Sequence, residues 1–137
     1  MVRLHADHRA QLEEEARAAF PKECCGLIEG WRGGDAYVIS ALHLCRNLAR
    51  SDGAFEIDPA EQFRLMRALR GTDRAIIGCY HSHPDGEPEP SPRDLSAANE
   101  DRFLWLIVAT GDDSVRIGAH VWQTGRFVSA SIASREE

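Results

Sequence analysis

The stretch from Ala75 to Asp94 restricts the fold more than any other part of the sequence. It opens with Ala75-Ile76-Ile77-Gly78-Cys79-Tyr80, an apolar run whose length and β-branched content read as a buried strand, and it closes that run with the polar triplet His81-Ser82-His83. Pro84, Pro88, Pro90 and Pro92 follow. Each proline fixes its own φ and holds the preceding residue out of the helical region, so a stiff return path must leave the end of the strand. Any fold for this chain therefore needs a sheet that buries Ala75–His81 and a rigid segment at its carboxyl end. That rigidity suits a preorganised site.

The rest of the chain supplies the layers. Apolar Ala10, Leu12, Ala16, Ala19 and Phe20 lie among charges at near-helical spacing from about Asp7 to Phe20, with Pro21 as the stop. Cys24–Glu29 and Tyr37–Leu44 read as two strands of a hairpin across the turn-rich Gly30-Trp31-Arg32-Gly33-Gly34-Asp35, and Asn47–Gly53 reads as a loop. Asp58-Pro59-Ala60-Glu61 combines an N-cap acid, a first-turn proline and a glutamate three residues on, which predicts a helix to about Arg70 with Phe63, Met66 and Leu69 as its apolar face. Ser91-Pro92-Arg93-Asp94 repeats that grammar and predicts a third helix. Phe103–Ala109 is a strongly apolar strand, and Val115–Trp122 and Phe127–Ile132 form a hairpin turned at Thr124-Gly125. The order αββαβαβββ describes an α/β (α+β) fold, a mixed central sheet flanked by helices.

At 137 residues, 43% apolar and 28% charged, the chain has the size and composition of one domain, residues 1–137, with no repeat or linker. Its net charge of −6 offers no electrostatic basis for holding nucleic acid or an anionic membrane. The amino terminus lacks the apolar core of a secretory signal and no stretch approaches a spanning helix. Cys24, Cys25, Cys45 and Cys79 contain no C-x-x-C pair, so the expectation is reduced, buried thiols in a cytoplasmic protein.

Two histidines at i and i+2 on an extended chain point to one face, roughly 7 Å apart at the backbone, a span two imidazoles can close onto one ion. Ser82 then points the other way. If Ser91 caps the third helix, Asp94 lies in its first turn and can face the pair, making two histidines and a carboxylate. Three protein ligands leave a zinc ion its fourth position for water, whose pKa falls to about 7. Asp85, Glu87 and Glu89 remain competing oxygen donors. His5, His8, His43 and His120 are scattered and read as surface or locally paired imidazoles. Trp31, Trp105 and Trp122 read as packing residues, and Cys79 is not favoured as a ligand.

His81-Ser82-His83-Pro84, seven further residues to Ser91, and Ser91-Pro92-Arg93-Asp94 resemble the signature of the JAMM/MPN+ (Mov34/MPN/PAD-1) zinc metalloproteases. Pro21-Lys22-Glu23-Cys24-Cys25-Gly26-Leu27-Ile28-Glu29-Gly30 is similar to the upstream segment of the small single-domain prokaryotic members, and Phe55-Glu56-Ile57-Asp58-Pro59 and Gly78-Cys79-Tyr80-His81 resemble their intervening blocks. The likeness runs from about Phe20 to Asp94. It implies the MPN fold, related in architecture to the cytidine deaminases, and one Zn²⁺ held by His81, His83 and Asp94. It implies that Glu23 is the acid beside the water and Ser91 the residue that holds the oxyanion. Composition alone does not single out Glu23 among 22 acidic residues.

The resemblance further implies hydrolysis of a peptide or isopeptide bond at the C-terminus of a ubiquitin-like, β-grasp protein of the sulfur-carrier type, by a monomer or homodimer. The carrier tail is expected to add a strand beside Ser51–Ile57, with Arg46, Arg50 and Arg93 as the places for an acidic partner. Two alternatives are a non-catalytic MPN scaffold that binds partners without metal, and kinship with the RadC-type DNA-repair-associated proteins. All five motif positions survive here, which weighs against the first. RadC-type proteins usually carry an additional amino-terminal region that this sequence does not show, which weighs against the second.

Overall fold

A computed structural model describes residues 1–51, 53–111 and 114–135. The elements run β1 (Val2–His5), α1 (Ala6–Ala19), β2 (Cys25–Gly33), β3 (Ala36–Cys45), α2 (Pro59–Ala68), β4 (Ala75–Pro84), α3 (Pro92–Ala97), β5 (Leu104–Thr110), β6 (Val115–Gln123), β7 (Arg126–Ala130) and β8 (Ile132–Arg135). The strands form one mixed sheet in the order β7-β6-β5-β4-β2-β3-β1-β8. β7 and β8 stand at opposite ends of that order although only Ser131 separates them in sequence. One residue bridges about 7 Å between its flanking Cα atoms, so the sheet has to curl until its two edges approach each other. The Val2 amide donates to the Ser131 carbonyl at 2.8 Å and so ties β1 to the residue that joins β7 and β8.

Strand alternation sorts the core into two faces. Ile28, Tyr80, Leu104, Leu106 and Val108 point to the side covered by α1 through Leu12 and Ala16. Leu27, Cys79 and Trp105, each one position out of phase, point to the other side under Leu65 of α2, with Ala98 at the end of α3 packed against them. The site lies on this second face.

The capping grammar holds. The Asp58 carboxylate accepts from the Ala60 amide at 2.9 Å, and Ser91 and Asp94 close a reciprocal capping box at the start of α3. Thr124 and Gly125 both take positive φ, the geometry of a tight hairpin turn between β6 and β7.

Four expectations need correction. β1 and β8 are not foreseen, because each is four residues long and gains its definition from a parallel partner at the far end of the chain. Ile132 belongs to β8 and not to the β6–β7 hairpin, which ends at Ala130. β2 runs on to Gly33 through a register shift at Glu29/Gly30, so much of the expected turn is strand. On α2, Phe63 and Met66 are exposed and Leu65 is the buried residue, because the helix meets the sheet with a narrower and rotated stripe.

Candidate metal centre and active site

β4 is a central strand, antiparallel to β2 and parallel to β5, and it carries His81 and His83 at its carboxyl end. Cys25 of β2 pairs with His81. Glu23, two residues upstream of Cys25, therefore faces the same side of the sheet, and its carboxylate lies 3.4 Å from His81 Nδ1. Ser82 points the opposite way, where its Oγ accepts from the Cys24 amide at 2.8 Å and locks the two strand ends together. On the other side of His81, Nε2 meets Asp94 Oδ2 at 3.1 Å. The structure thus brings Glu23, His81, His83, Ser91 and Asp94 around one cleft of about 50 Å³, closed on one side by Phe55.

Glu23, His81 and Asp94 are all buried. Burial pulls the His81 imidazole down, but its hydrogen bonds and charge contacts with Asp94 and Glu23 outweigh that and push its pKa up to about 9. Burial likewise pushes Asp94 up, and its bonds to His81 and to Ser91 hold it below the usual carboxylate value. A cation is what this site stabilises: without a metal, the proton on His81 between two carboxylates supplies it. The Phe55 ring stacks on His81 at 4.3 Å, and Trp105 meets it edge-on at 6.1 Å. These two rings keep the imidazole from turning.

His83 is half-buried and held differently. Its Nδ1 contacts the Glu87 carbonyl at 2.9 Å, the pairing that keeps the proton on Nδ1 and leaves Nε2 as a lone-pair donor. Gly86 packs against the ring face: a Cβ there would stand 2.7 Å from Cδ2.

The donor set fits zinc. Two ligands on a tetrahedral zinc lie roughly 3.3 Å apart, close to the His81 Nε2–Asp94 Oδ2 spacing. The rings of His81 and His83 have centroids 6.5 Å apart, against roughly 5 Å for two imidazoles on one tetrahedral ion. Accordingly, no three such side chains among the described residues already stand as a closed metal cluster. Holding one ion with both rings would bring His83 inward by about an ångström, and His83 is the histidine whose ring is held by a loop carbonyl.

Ser91 keeps both of its expected roles open. Its Oγ accepts from the Asp94 amide at 3.1 Å, and its amide donates to Asp94 Oδ2 at 2.9 Å, so the cap aims the carboxylate at His81. Cys79 lies on the face of His81, but burial pushes its thiol well above the ordinary value and it packs as an apolar side chain with Leu27 and Phe103. Glu87 contributes its carbonyl to His83, while its carboxylate pairs with Arg116 at 2.9 Å outside the cleft. The segment Ser51–Ile57 is a loop and not a strand of the sheet. Asp52 lies outside the described residues, and an isolated bridge joins Ile57 to Asn47. Arg93 lines the cleft, and Arg46 and Arg50 line a neighbouring groove of about 790 Å³ beside α1. Sequence reasoning passed over Phe55 as a contact of His81. The only signal for it is an aromatic residue in the loop before α2.

Comparison with known proteins identifies the family and the fold. Residues 5–123 match the family of prokaryotic homologs of the JAB domain. A desampylase of Haloferax volcanii is 32% identical over 135 residues, 95% of this chain and 94% of that protein. A CysO-cysteine peptidase of Mycobacterium tuberculosis is 31% identical over 110 residues, 80% of this chain and 73% of that protein. The solution structure of a protein from Desulfitobacterium hafniense superposes with a TM-score of 0.89 at 27% identity, covering all of this chain and 94% of that one. Fold and site together define a JAMM-type metallopeptidase. The chain belongs to the prokaryotic JAB-domain family.

Proposed function

We propose that the protein is a zinc-dependent peptidase or isopeptidase that cuts at the C-terminus of a ubiquitin-like, β-grasp carrier protein. The observation that carries this reading is the buried Glu23–His81–Asp94 line, with His83 beside it, at the open end of a central strand. His81, His83 and Asp94 would hold the ion, which when bound polarises the scissile carbonyl and acidifies a water. Glu23 takes that water's proton and delivers it to the departing amine. Ser91 Oγ–H, turned from its cap, donates to the oxygen on which negative charge develops. Phe55 and Trp105 exclude bulk water from the His81 side. Both relatives named above bear on the substrate: one is a desampylase and the other a peptidase of CysO-cysteine.

We assign the activity to one domain in the cytoplasm, in keeping with four buried, free cysteines. No helix among the described residues is long and apolar enough to cross a membrane. The test is a β-grasp carrier fused through its terminal Gly-Gly to a reporter. Zinc-loaded protein releases the reporter at that junction, a chelator stops the release, and added zinc restores it. Release unaffected by chelation, or none with zinc bound, overturns the reading.

A further inference from the structure

We infer that Arg116, Gly118 and His120, on one face of β6, form a track that positions His83 without touching it. These residues alternate along the strand, so their side-chain positions face the same way, and all three meet the segment between β4 and α3 at Glu87-Pro88. His120 is buried and its Nε2 lies 2.9 Å from the Pro88 carbonyl oxygen, with the Glu89 carboxylate 4.0 Å away. Gly118 lies beneath the same carbonyl, and a methyl group there would overlap the oxygen. Arg116 pairs with the Glu87 carboxylate at 2.9 Å.

The consequence runs through two successive peptide units joined at the Pro88 Cα, whose φ the ring fixes. Glu87 and Pro88 are adjacent, so fixing the Pro88 carbonyl fixes the Glu87 carbonyl that receives His83 Nδ1–H. The near end of the segment is pinned as well, by the Asp85 amide donating to the Thr110 carbonyl at 2.9 Å. Pro88 and Pro90 stiffen what lies between. The His83 backbone pairs with Ala109 of β5, but its ring makes its hydrogen bond to this segment, so its aim depends on this docking. His120 is thus a positioning residue two contacts removed from the metal position, and Gly118 is required for the close approach of strap and strand. The inference rests on His83 being a ligand.

The test is zinc affinity of the purified chain, measured by competition with a chromophoric chelator. Loss of the direct outer partner of a metal-bound histidine weakens binding about 10–100-fold, and a residue one contact further out is expected at the low end of that range. His120→Ala is expected to show about a tenfold loss. His120→Gln, which keeps an N–H donor at similar reach, is expected to recover most of it. Gly118→Ala, which displaces the carbonyl instead of removing its partner, is expected to match His120→Ala and carries the test if that variant does not fold. In a His83→Ala background, His120→Ala should change affinity no further, a result a general loss of stability would not give. Wild-type affinity in His120→Ala or Gly118→Ala, or an undiminished effect in the His83→Ala background, overturns the inference while leaving the zinc site standing. A wild-type chain that binds no zinc removes both.

Discussion

His81 and His83 stand two residues apart on β4, yet they are held by different kinds of structure. His81 is clamped from neighbouring elements on every side: Glu23 before β2, Asp94 on α3, and the rings of Phe55 and Trp105. His83 is half-buried and takes its orientation from a carbonyl in the strap, which in turn leans on β6. The difference teaches where rigidity and adjustment reside. One half of the centre is built into the sheet with its charges already balanced. The other half, on the proposed reading, would close onto the ion, and it depends on prolines and a distant strand for its aim.

The largest effect should come from breaking the clamped half. His81→Ala leaves the Glu23 and Asp94 carboxylates buried without their partner, and removing one member of such a buried set costs about 3–5 kcal/mol. Denaturant unfolding of the metal-free protein should show that loss, and zinc binding should fall to background.

Next in size is a pH effect on the same half. His81 has its pKa raised from 6.5 to about 9, so its proton stabilises the metal-free fold fully below about pH 6.5, and this contribution is lost as pH rises through 9. Zinc must displace that proton, so its affinity should rise across the same window by up to about tenfold per pH unit. Melting of the metal-free chain and chelator competition from pH 6 to 9 measure the two opposed trends. Parallel trends would break the account of His81.

Ser91→Ala should be milder for the fold, about 1 kcal/mol for the lost cap. Its turnover should fall about 10²–10³-fold if the hydroxyl also steadies the oxyanion. Smallest of all should be the effect of His83→Ala on the metal-free fold, below about 0.5 kcal/mol by thermal melting, although zinc affinity, now resting on His81 and Asp94, falls to a weak residual value. Equal destabilisation by His81→Ala and His83→Ala would erase the contrast between the two halves.

The same contrast explains what was legible in the sequence. Local grammar survives folding: Asp58-Pro59 and Ser91-Pro92-Arg93-Asp94 start helices because their own side chains satisfy the first amides, and His81 and His83 share a face because strands alternate. Long-range pairing leaves no such mark. β1 and β8 are defined by each other across the whole chain, and the buried stripe of α2 is set by how the helix meets the sheet and not by its most apolar residues. Glu23 became identifiable through the resemblance, since only the pairing of Cys25 with His81 brings it to the site. His120 read as an unremarkable imidazole because its partner is a main-chain carbonyl 32 residues away, which no side-chain motif encodes.

The central claim is that Glu23 moves the proton while His81, His83 and Asp94 hold the ion. It is tested most directly by kcat of Glu23→Gln, with one zinc per chain confirmed by metal analysis, on a carrier fused through its terminal Gly-Gly. The account predicts that zinc stays bound and kcat falls about 10²–10⁴-fold. A zinc-loaded Glu23→Gln protein turning over at the wild-type rate would contradict it.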